Sequence, residues 1–180
     1  MEQTAQHATT ALLVIDVQKS LFEKSSPIYK ADQLLENINS LIDLARHAGV
    51  PVFFIQHTSP KILEKGSEGW QLHPRIQPLA EEVIVHKLHG NAFEDTNLHT
   101  ELSKRTVNTV VLTGLVTHGC VKATCLGALE EGYKDVLVSD AHSSYSKDAT
   151  QMIEKWNHIL HEQCARLQPA CQVDFSKLEG

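Results

Sequence analysis

The 180-residue sequence lacks several features that mark whole classes of proteins. It contains no basic stripe, and its formal net charge of -6 argues against nucleic acid or an anionic membrane as the main partner. Its longest apolar runs, such as residues 52–55, are too short to cross a bilayer. The first ten residues contain neither the basic nor the apolar region of a signal peptide. We therefore expect a cytoplasmic protein whose partners include neither nucleic acid nor a membrane.

Cysteine is scarce, and no two of the four cysteines form a CxxC pair. One of them, Cys120, lies where a helix is expected to start. We therefore expect all four to be reduced thiols, as in a cytoplasmic protein. They are Cys120, Cys125, Cys164 and Cys171.

No linker, internal repeat or low-complexity segment divides the chain. An apolar fraction of 42% is ordinary for a globular protein and is enough for a sizeable core. We therefore expect a single domain over residues 1–180, in which residues 1–9 form a flexible N-terminus. The long stretch of residues 58–78 contains two Gly and three Pro, and we interpret it as a functional loop.

Six short β-rich runs alternate with helical patterns along the sequence. The β-rich runs are residues 11–16, 52–56, 83–86, 108–113, 135–139 and 171–175. Apolar spacing indicates a helix carrying residues 34–45, a short helix capped by Thr96, a helix over 120–131 and a helix over 147–163. This alternation is typical of βαβ units. We therefore predict an α/β fold with three α/β/α layers around a six-stranded, mainly parallel, Rossmann-like sheet.

Three chemically useful side chains follow strands of this expected sheet. Asp16 ends the first strand, Lys87 follows the third, and Cys120 follows the fourth after a turn. The carboxyl ends of parallel strands meet at one edge of the sheet, where open α/β folds bind their ligands. A carboxylate can take the proton of a thiol, and a nearby ammonium stabilises both anions. The coincidence of the three groups at one edge indicates a catalytic site.

Each of the three residues also has an ordinary structural interpretation. Taken alone, Asp16 is more simply a turn residue at a strand end, and Lys87 a solvated surface lysine. Cys120 is as easily a small buried residue as a nucleophile, although Cys125, on the inner face of the expected helix, suits that buried role better. The position of Cys120 at a helix start favours the thiolate, because the helix dipole lowers the pKa of a thiol there.

Three sequence blocks resemble the isochorismatase-like cysteine hydrolases. The first is Leu-Val-Ile-Asp-Val-Gln at residues 13–18, followed by Phe22. The second is Lys87, followed by Asn-Ala-Phe at residues 91–93. The third is Thr-Gly-Leu-Val-Thr-His-Gly-Cys-Val at residues 113–121. The blocks occur in the family's order and span roughly residues 11–160, so the sequence is identified as a member of this family.

The resemblance implies a catalytic triad of Asp16, Lys87 and Cys120. It also implies a non-proline cis peptide bond between Leu115 and Val116. The N–H groups of Val116 and Cys120 would then form an oxyanion hole. The resemblance further implies a small-molecule substrate and a homo-oligomer, either a dimer or a larger assembly.

Nicotinamidases of this family bind a metal through an Asp-x-His pair after the second strand and a later histidine. The corresponding segment here, Phe-Ile-Gln-His-Thr at residues 54–58, has no such pair. His57 and His73 alone would make a poor catalytic metal site, because no carboxylate accompanies them. We therefore expect no metal and no cofactor, and we interpret the two histidines as substrate contacts.

The expected substrate-binding residues include several aromatic side chains, which suit a small planar or apolar amide. Core packing is an equally good interpretation of Phe93 and a poorer one of Trp70, which lies in a polar stretch. Asn91 replaces the small Ser or Gly that is common in the family, so its amide either narrows the pocket or contacts the substrate. The complete set is Phe22, His57, Trp70, His73, Asn91, Phe93 and His118.

The sequence therefore predicts a hydrolase that uses Cys120 to cleave a C–N, amide-type bond of a small molecule through a thioester intermediate. Three alternatives stay open. An isochorismatase-type vinyl ether hydrolase would need no thiol at this position. A non-catalytic binding module would have no reason to keep the whole triad. A redox sensor would use Cys120 as its reactive thiol, with Cys125 badly placed as a resolving partner.

Overall fold

The computed structural model describes residues 9–145 and 147–178. Within them six strands form one sheet, in which all neighbouring strands are parallel. The strands are β1 (Thr9–Ile15), β2 (Val52–His57), β3 (Val83–Lys87), β4 (Val107–Leu115), β5 (Lys134–Ser143) and β6 (Ala165–Gln168). Their order in the sheet is β3-β2-β1-β4-β5-β6, so the direction of chain progression reverses between β1 and β4.

Five α-helices connect or flank these strands in the described part of the chain. Two further short elements are a π-helical turn at Thr117–Val121 and a 3-10 turn at Ala170–Gln172. None of the helices is long and apolar enough to span a membrane, as far as the described residues extend. The helices are α1 (Lys19–Phe22), α2 (Ala31–His47), α3 (Leu98–Ser103), α4 (Lys122–Glu130) and α5 (Ala149–Gln163).

The central strand β1 is buried on both faces and therefore takes part in two apolar layers. Leu12 and Val14 lie in one layer, which contains the buried stripe of α2 and the C-terminal segment. Leu13 and Ile15 lie in the other layer, which contains apolar residues of α3, α4 and α5. The predicted three-layer α/β/α arrangement with a six-stranded Rossmann-like sheet is confirmed, and the sheet is entirely parallel.

The sixth strand was predicted at the wrong place. Residues 171–175 are not a strand, and β6 is formed earlier, by Ala165–Gln168. Pro169 follows β6 and has no N–H to donate, so the ladder ends there. The alternating Val173 and Phe175 that suggested a strand are instead buried in the apolar layer of α2.

The expectation of a flexible N-terminus concerns residues that lie almost entirely outside the described part of the chain. Residues 1–8 of the expected flexible segment lie outside the described residues, and Thr9 begins β1.

Asp135, near the start of β5, is a buried carboxyl group with an unusual environment. Both of its side-chain oxygens are buried without a hydrogen-bond partner among the described residues. Burial therefore raises the pKa of Asp135 to about 8. The group is neutral in the folded protein at pH values where an ordinary aspartate is ionised.

We expect Asp135→Asn to stabilise the protein in a pH-dependent way. In the unfolded chain the carboxyl group ionises near pH 4, whereas in the folded chain it stays protonated to about pH 8. Between these values the free energy of unfolding of the wild type falls by about 1.4 kcal/mol per pH unit because of this group. Denaturant unfolding should show a gain for the variant that is small at pH 4 and largest at pH 8.

The exposed Asp43 on α2 provides the matched control, and Asp43→Asn should show no comparable pH-dependent gain. An equal gain for Asp135→Asn at pH 4 and pH 8 would contradict the assigned cause.

Candidate active site

The carboxyl ends of four neighbouring strands bring ionisable side chains to one edge of the sheet. Asp16 immediately follows β1, His57 is the last residue of β2, and Lys87 is the last residue of β3. Cys120 lies in the π-helical turn between β4 and α4. This edge includes the point between β1 and β4 where the strand order reverses, which is where open α/β sheets typically bind ligands.

Lys87 is the centre of this group of side chains. Its Nζ lies 2.9 Å from Asp16 Oδ2 and donates a hydrogen bond to Cys120 Sγ at 3.1 Å. It also lies 2.9 Å from His57 Nδ1 and donates to the carbonyl oxygen of His89 at 3.1 Å. Lys87 is 1% exposed and Asp16 is 2% exposed. The surface interpretation of Lys87 is therefore wrong, since the ammonium group is buried among four acceptors.

His57 contacts the same ammonium group, although the sequence pattern had indicated a substrate contact or, with His73, a possible metal ligand. An ammonium group can only donate, so His57 Nδ1 accepts the hydrogen bond and carries no proton. Burial and then the positive charge of Lys87 lower the pKa of His57, which keeps the imidazole neutral with its proton on Nε2. The position of His57 at the end of β2, between β1 and β3, is the signal that predicts this contact.

Asp16, His57 and Cys120 are the one group of potential metal ligands found within the described residues. Their donor atoms lie within 4.8 Å of one another. However, the Lys87 ammonium already lies within 3.1 Å of all three side chains. A metal ion would have to displace this positive charge or share the site with it, so the donor set does not fit a metal.

His73 does not join His57 at this site. Its Nδ1 accepts a hydrogen bond from the Arg75 N–H at 3.2 Å, and its ring lies 4.6 Å from the ring of Phe22. The two histidines that the sequence offered as possible metal ligands are therefore held by different partners.

The pKa of the Cys120 thiol is higher than the sequence led us to expect. Burial, and then the negative charge of Asp16, raise its pKa to about 12, and these effects outweigh the opposing charge of Lys87. The expected lowering by the helix dipole is therefore wrong. Cys120 lies in the turn before α4, which begins at Lys122, and the thiol is desolvated beside a carboxylate.

Asp16 is affected by the same environment. Burial raises the pKa of its carboxyl group, and the charge of Lys87 opposes this effect. A carboxylate with a raised pKa is a stronger base than an ordinary aspartate. Transfer of the proton from Cys120 to Asp16 would leave the net charge of the buried site unchanged, because one anion replaces another beside Lys87.

Gly114 sets the distance between the strands that carry Asp16 and Cys120. Its φ is +117°, and a Cβ atom at this position would lie 2.0 Å from the carbonyl oxygen of Ile15. Only glycine allows β4 to approach β1 so closely just before Asp16. The chain then passes through the Leu115–Val116 peptide bond, which is cis, into the turn that carries Cys120.

Two aromatic residues of the expected substrate set lie in the apolar layers. Trp70 is buried in the layer of α2, and its Nε1 donates to Thr58 Oγ1 at 3.0 Å. Phe93 is buried in the opposite layer, where its ring stacks at 5.5 Å on that of Tyr133. The burial of Trp70 was poorly predicted, because the polar sequence around it gave no sign that the loop folds back over the sheet.

Asn91 and His118 are less buried. The side chain of Asn91 accepts a hydrogen bond from the Phe93 N–H at 3.0 Å and packs where a Cβ atom of Gly127 would lie. His118, two residues before Cys120, lies 3.4 Å through its Nδ1 from Ser144 Oγ. The amide oxygen of Asn91 is therefore engaged within the protein, while His118 lies on the turn of Cys120 itself.

Comparison with known proteins identifies the family. A family model described as Isochorismatase domain matches residues 10–159. The isochorismatase family protein YddQ of Bacillus subtilis (strain 168) is 30% identical over 164 residues, which cover 88% of this chain and 91% of YddQ. Streptothricin hydrolase of Streptomyces noursei is 34% identical over 137 residues, which cover 75% of this chain and 50% of that enzyme.

A solved structure has the same fold. The crystal structure of an isochorismatase from Pseudomonas putida KT2440 matches with a TM-score of 0.84 and 25% identity, and the match covers 91% of this chain and 89% of that one. Because the family model extends over most of the sequence and the similarity to YddQ extends over most of both proteins, the chain belongs to the isochorismatase family of hydrolases.

Proposed function

We propose that this protein is a cysteine-dependent hydrolase that cleaves a C–N, amide-type bond of a small molecule through a thioester intermediate. The contact of Lys87 Nζ with both Asp16 Oδ2 and Cys120 Sγ carries the proposal. It joins a base, a cation and a nucleophile in one buried cluster at the ligand-binding edge of the sheet. The similarity to a streptothricin hydrolase supports hydrolysis as the reaction class.

In the first half of the reaction, Asp16 takes the proton of the Cys120 thiol. The sulfur attacks the carbonyl carbon of the substrate, and the C–S bond forms while the carbonyl π electrons move to oxygen. The N–H groups of Val116 and Cys120 are assigned to this oxyanion. The C–N bond then breaks, and the protonated Asp16 gives its proton to the leaving nitrogen.

In the second half, water attacks the thioester and gives its proton to Asp16. The C–S bond breaks as the protonated Asp16 returns its proton to the sulfur of Cys120, the acid product leaves, and both side chains regain their starting states. Lys87 keeps its positive charge throughout and compensates whichever of Asp16 and Cys120 is anionic. No metal or cofactor takes part in these steps.

Substrate recognition is assigned to the side chains around the triad. Neutral His57 has its proton on Nε2, and we assign this N–H to a substrate carbonyl or ring nitrogen. Burial also lowers the pKa of His73 and His118, so these imidazoles are neutral as well. Neutral imidazoles, together with Phe22, suit an uncharged planar amide. We keep three further residues in the proposed set, as side chains that support the walls of the site from within the protein: Trp70, Asn91 and Phe93.

The alternatives fit the cluster less well. A vinyl ether hydrolase has no use for a thiol that lies against both Lys87 and Asp16. A redox sensor needs a thiolate, whereas the pKa of Cys120 is about 12.

We retain a cytoplasmic location and a homo-oligomeric state as parts of the proposal. Light scattering of the purified protein tests the oligomeric state.

Hydrolysis of a panel of small uncharged amides tests the mechanism. We expect turnover by the wild type, and a loss of at least about 1000-fold in Cys120→Ala and Asp16→Asn, because the nucleophile or its base is missing. Intact-mass spectrometry should detect an acyl adduct on the wild type, and peptide mapping should assign it to Cys120. Cys171→Ala, at an exposed cysteine, is the control and should behave as the wild type. Full amide turnover by Cys120→Ala would contradict the thioester mechanism, and cleavage of a vinyl ether by the same variant would favour the ether hydrolase.

The raised pKa of Cys120 predicts an unusual alkylation profile. We expect its reaction with iodoacetamide to accelerate steadily up to pH 10, without the plateau above pH ~9 that an ordinary thiol shows. Asp16→Asn removes the negative charge that raises this pKa, so alkylation at pH 8 should become faster even though hydrolysis is lost. Peptide mass spectrometry measures both rates. A plateau below pH 9 in the wild type would mean that the helix start dominates after all.

A further inference from the structure

Thr117, at the start of the turn that carries Cys120, belongs to a chain of buried and half-buried hydrogen bonds. Its Oγ1 lies 2.8 Å from His142 Nδ1, and His142 Nε2 lies 2.8 Å from Asn157 Oδ1. Asn157 Nδ2 in turn donates to the carbonyl oxygen of Ser139 at 3.2 Å. Thr117 and His142 are both buried, and no expected site residue is part of this chain.

The direction of each hydrogen bond follows from the groups involved. The Ser139 carbonyl can only accept, which directs the Asn157 amide nitrogen toward it and leaves Oδ1 as the acceptor for His142. His142 Nε2 therefore carries a proton. Burial lowers the pKa of His142 to about 4, so the ring is neutral above that pH and its Nδ1 can only accept. Thr117 Oγ1 is then the donor, and the donors run in one direction from Thr117 to Ser139.

An irregularity in β5 places His142 within reach of the turn. Leu112 of β4 pairs with Leu137 of β5, but two residues later Gly114 pairs with His142. The pairing thus shifts within the sheet just before the cis bond that leads to Thr117. Asn157 reaches the same point from α5, so a strand and a helix both anchor the turn.

We infer that Thr117, His142 and Asn157 form a positioning relay that holds Cys120 against Asp16 and Lys87. None of these three residues contacts Cys120 in the hydrogen bonds described. They act by holding the backbone of the turn at Thr117, three residues before the nucleophile. The turn is also held by its own backbone, because the Val116 carbonyl accepts hydrogen bonds from the N–H groups of Gly119 and Val121. The effect on hydrolysis rests on the proposed function, whereas the effect on the thiol does not.

Thr117→Val and Thr117→Ser make a matched pair for the test. Valine keeps the shape of threonine and removes the donor, and serine keeps the donor. We expect Thr117→Val to lower kcat on the best amide at least tenfold with KM changed less than about twofold, because the nucleophile is misplaced and binding is not. Cys120 should also react with iodoacetamide at least threefold faster, since a loosened turn reduces the burial that protects the thiol. Thr117→Ser should restore both values to within about twofold of the wild type.

Alkylation of the exposed Cys171 in the same samples is the internal reference for reagent and pH. A Thr117→Val variant that is merely less stable, with unchanged kcat and an unchanged ratio of Cys120 to Cys171 alkylation, would overturn the relay. If no amide is turned over by the wild type, the proposed function fails, and the alkylation ratio still decides on the relay.

Asn157→Ala tests the opposite end of the hydrogen-bond chain and provides a second variant in case Thr117→Val does not fold. Without the amide acceptor His142 can carry its proton on either nitrogen, so the same faster alkylation of Cys120 is expected. Long-range 1H–15N spectra of the wild type should show His142 protonated on Nε2 and unprotonated on Nδ1. Protonation on Nδ1 would reverse the direction of the hydrogen bonds and overturn the assignment.

Discussion

The buried ammonium group of Lys87 is the constraint on which the site depends. A positive charge with almost no contact with water is unfavourable by several kcal/mol unless acceptors surround it. Here those acceptors come from the ends of two further strands, from the turn after β4 and from the backbone of His89. Each acceptor must therefore arrive at one point, which ties the positions of four neighbouring strand ends to a single atom.

The backbone geometry of β1 and β4 places the acceptor groups around Lys87 Nζ. Gly114 brings β4 into a contact with β1 that any side chain would prevent. Asp16, the first residue after β1, has a φ of 51°, a left-handed conformation that is uncommon for residues other than glycine. The strand direction is thus interrupted where the carboxylate turns toward Lys87. Backbone strain of this kind persists where the surrounding packing holds it, and here it coincides with the ionised cluster.

Much of this arrangement follows from the sequence, and the remainder depends on three-dimensional packing. Alternating strands and helices predicted the sheet, and the shared edge of parallel strands predicted that Asp16, Lys87 and Cys120 meet. The alternating apolar residues of 171–175 suggested a strand, but they alternate because Val173 and Phe175 are buried beside α2 in a segment that is not a strand. The helix-dipole argument for Cys120 failed because desolvation and the neighbouring carboxylate depend on packing that spacing cannot show. His142 escaped notice because a shift in strand pairing has no local signature.

A thiol with a pKa of about 12 is compatible with a nucleophile when its base is part of the same cluster. An isolated cysteine must be ionised before the substrate arrives, whereas here the proton has only to move to Asp16, whose own pKa burial has raised. That transfer moves a negative charge from oxygen to sulfur beside the same ammonium and adds no charge to the buried site. On the proposed mechanism the resting enzyme therefore keeps Cys120 as a thiol, which is less susceptible to oxidation than a thiolate. The nucleophile is formed at the moment when a carbonyl group lies within its reach.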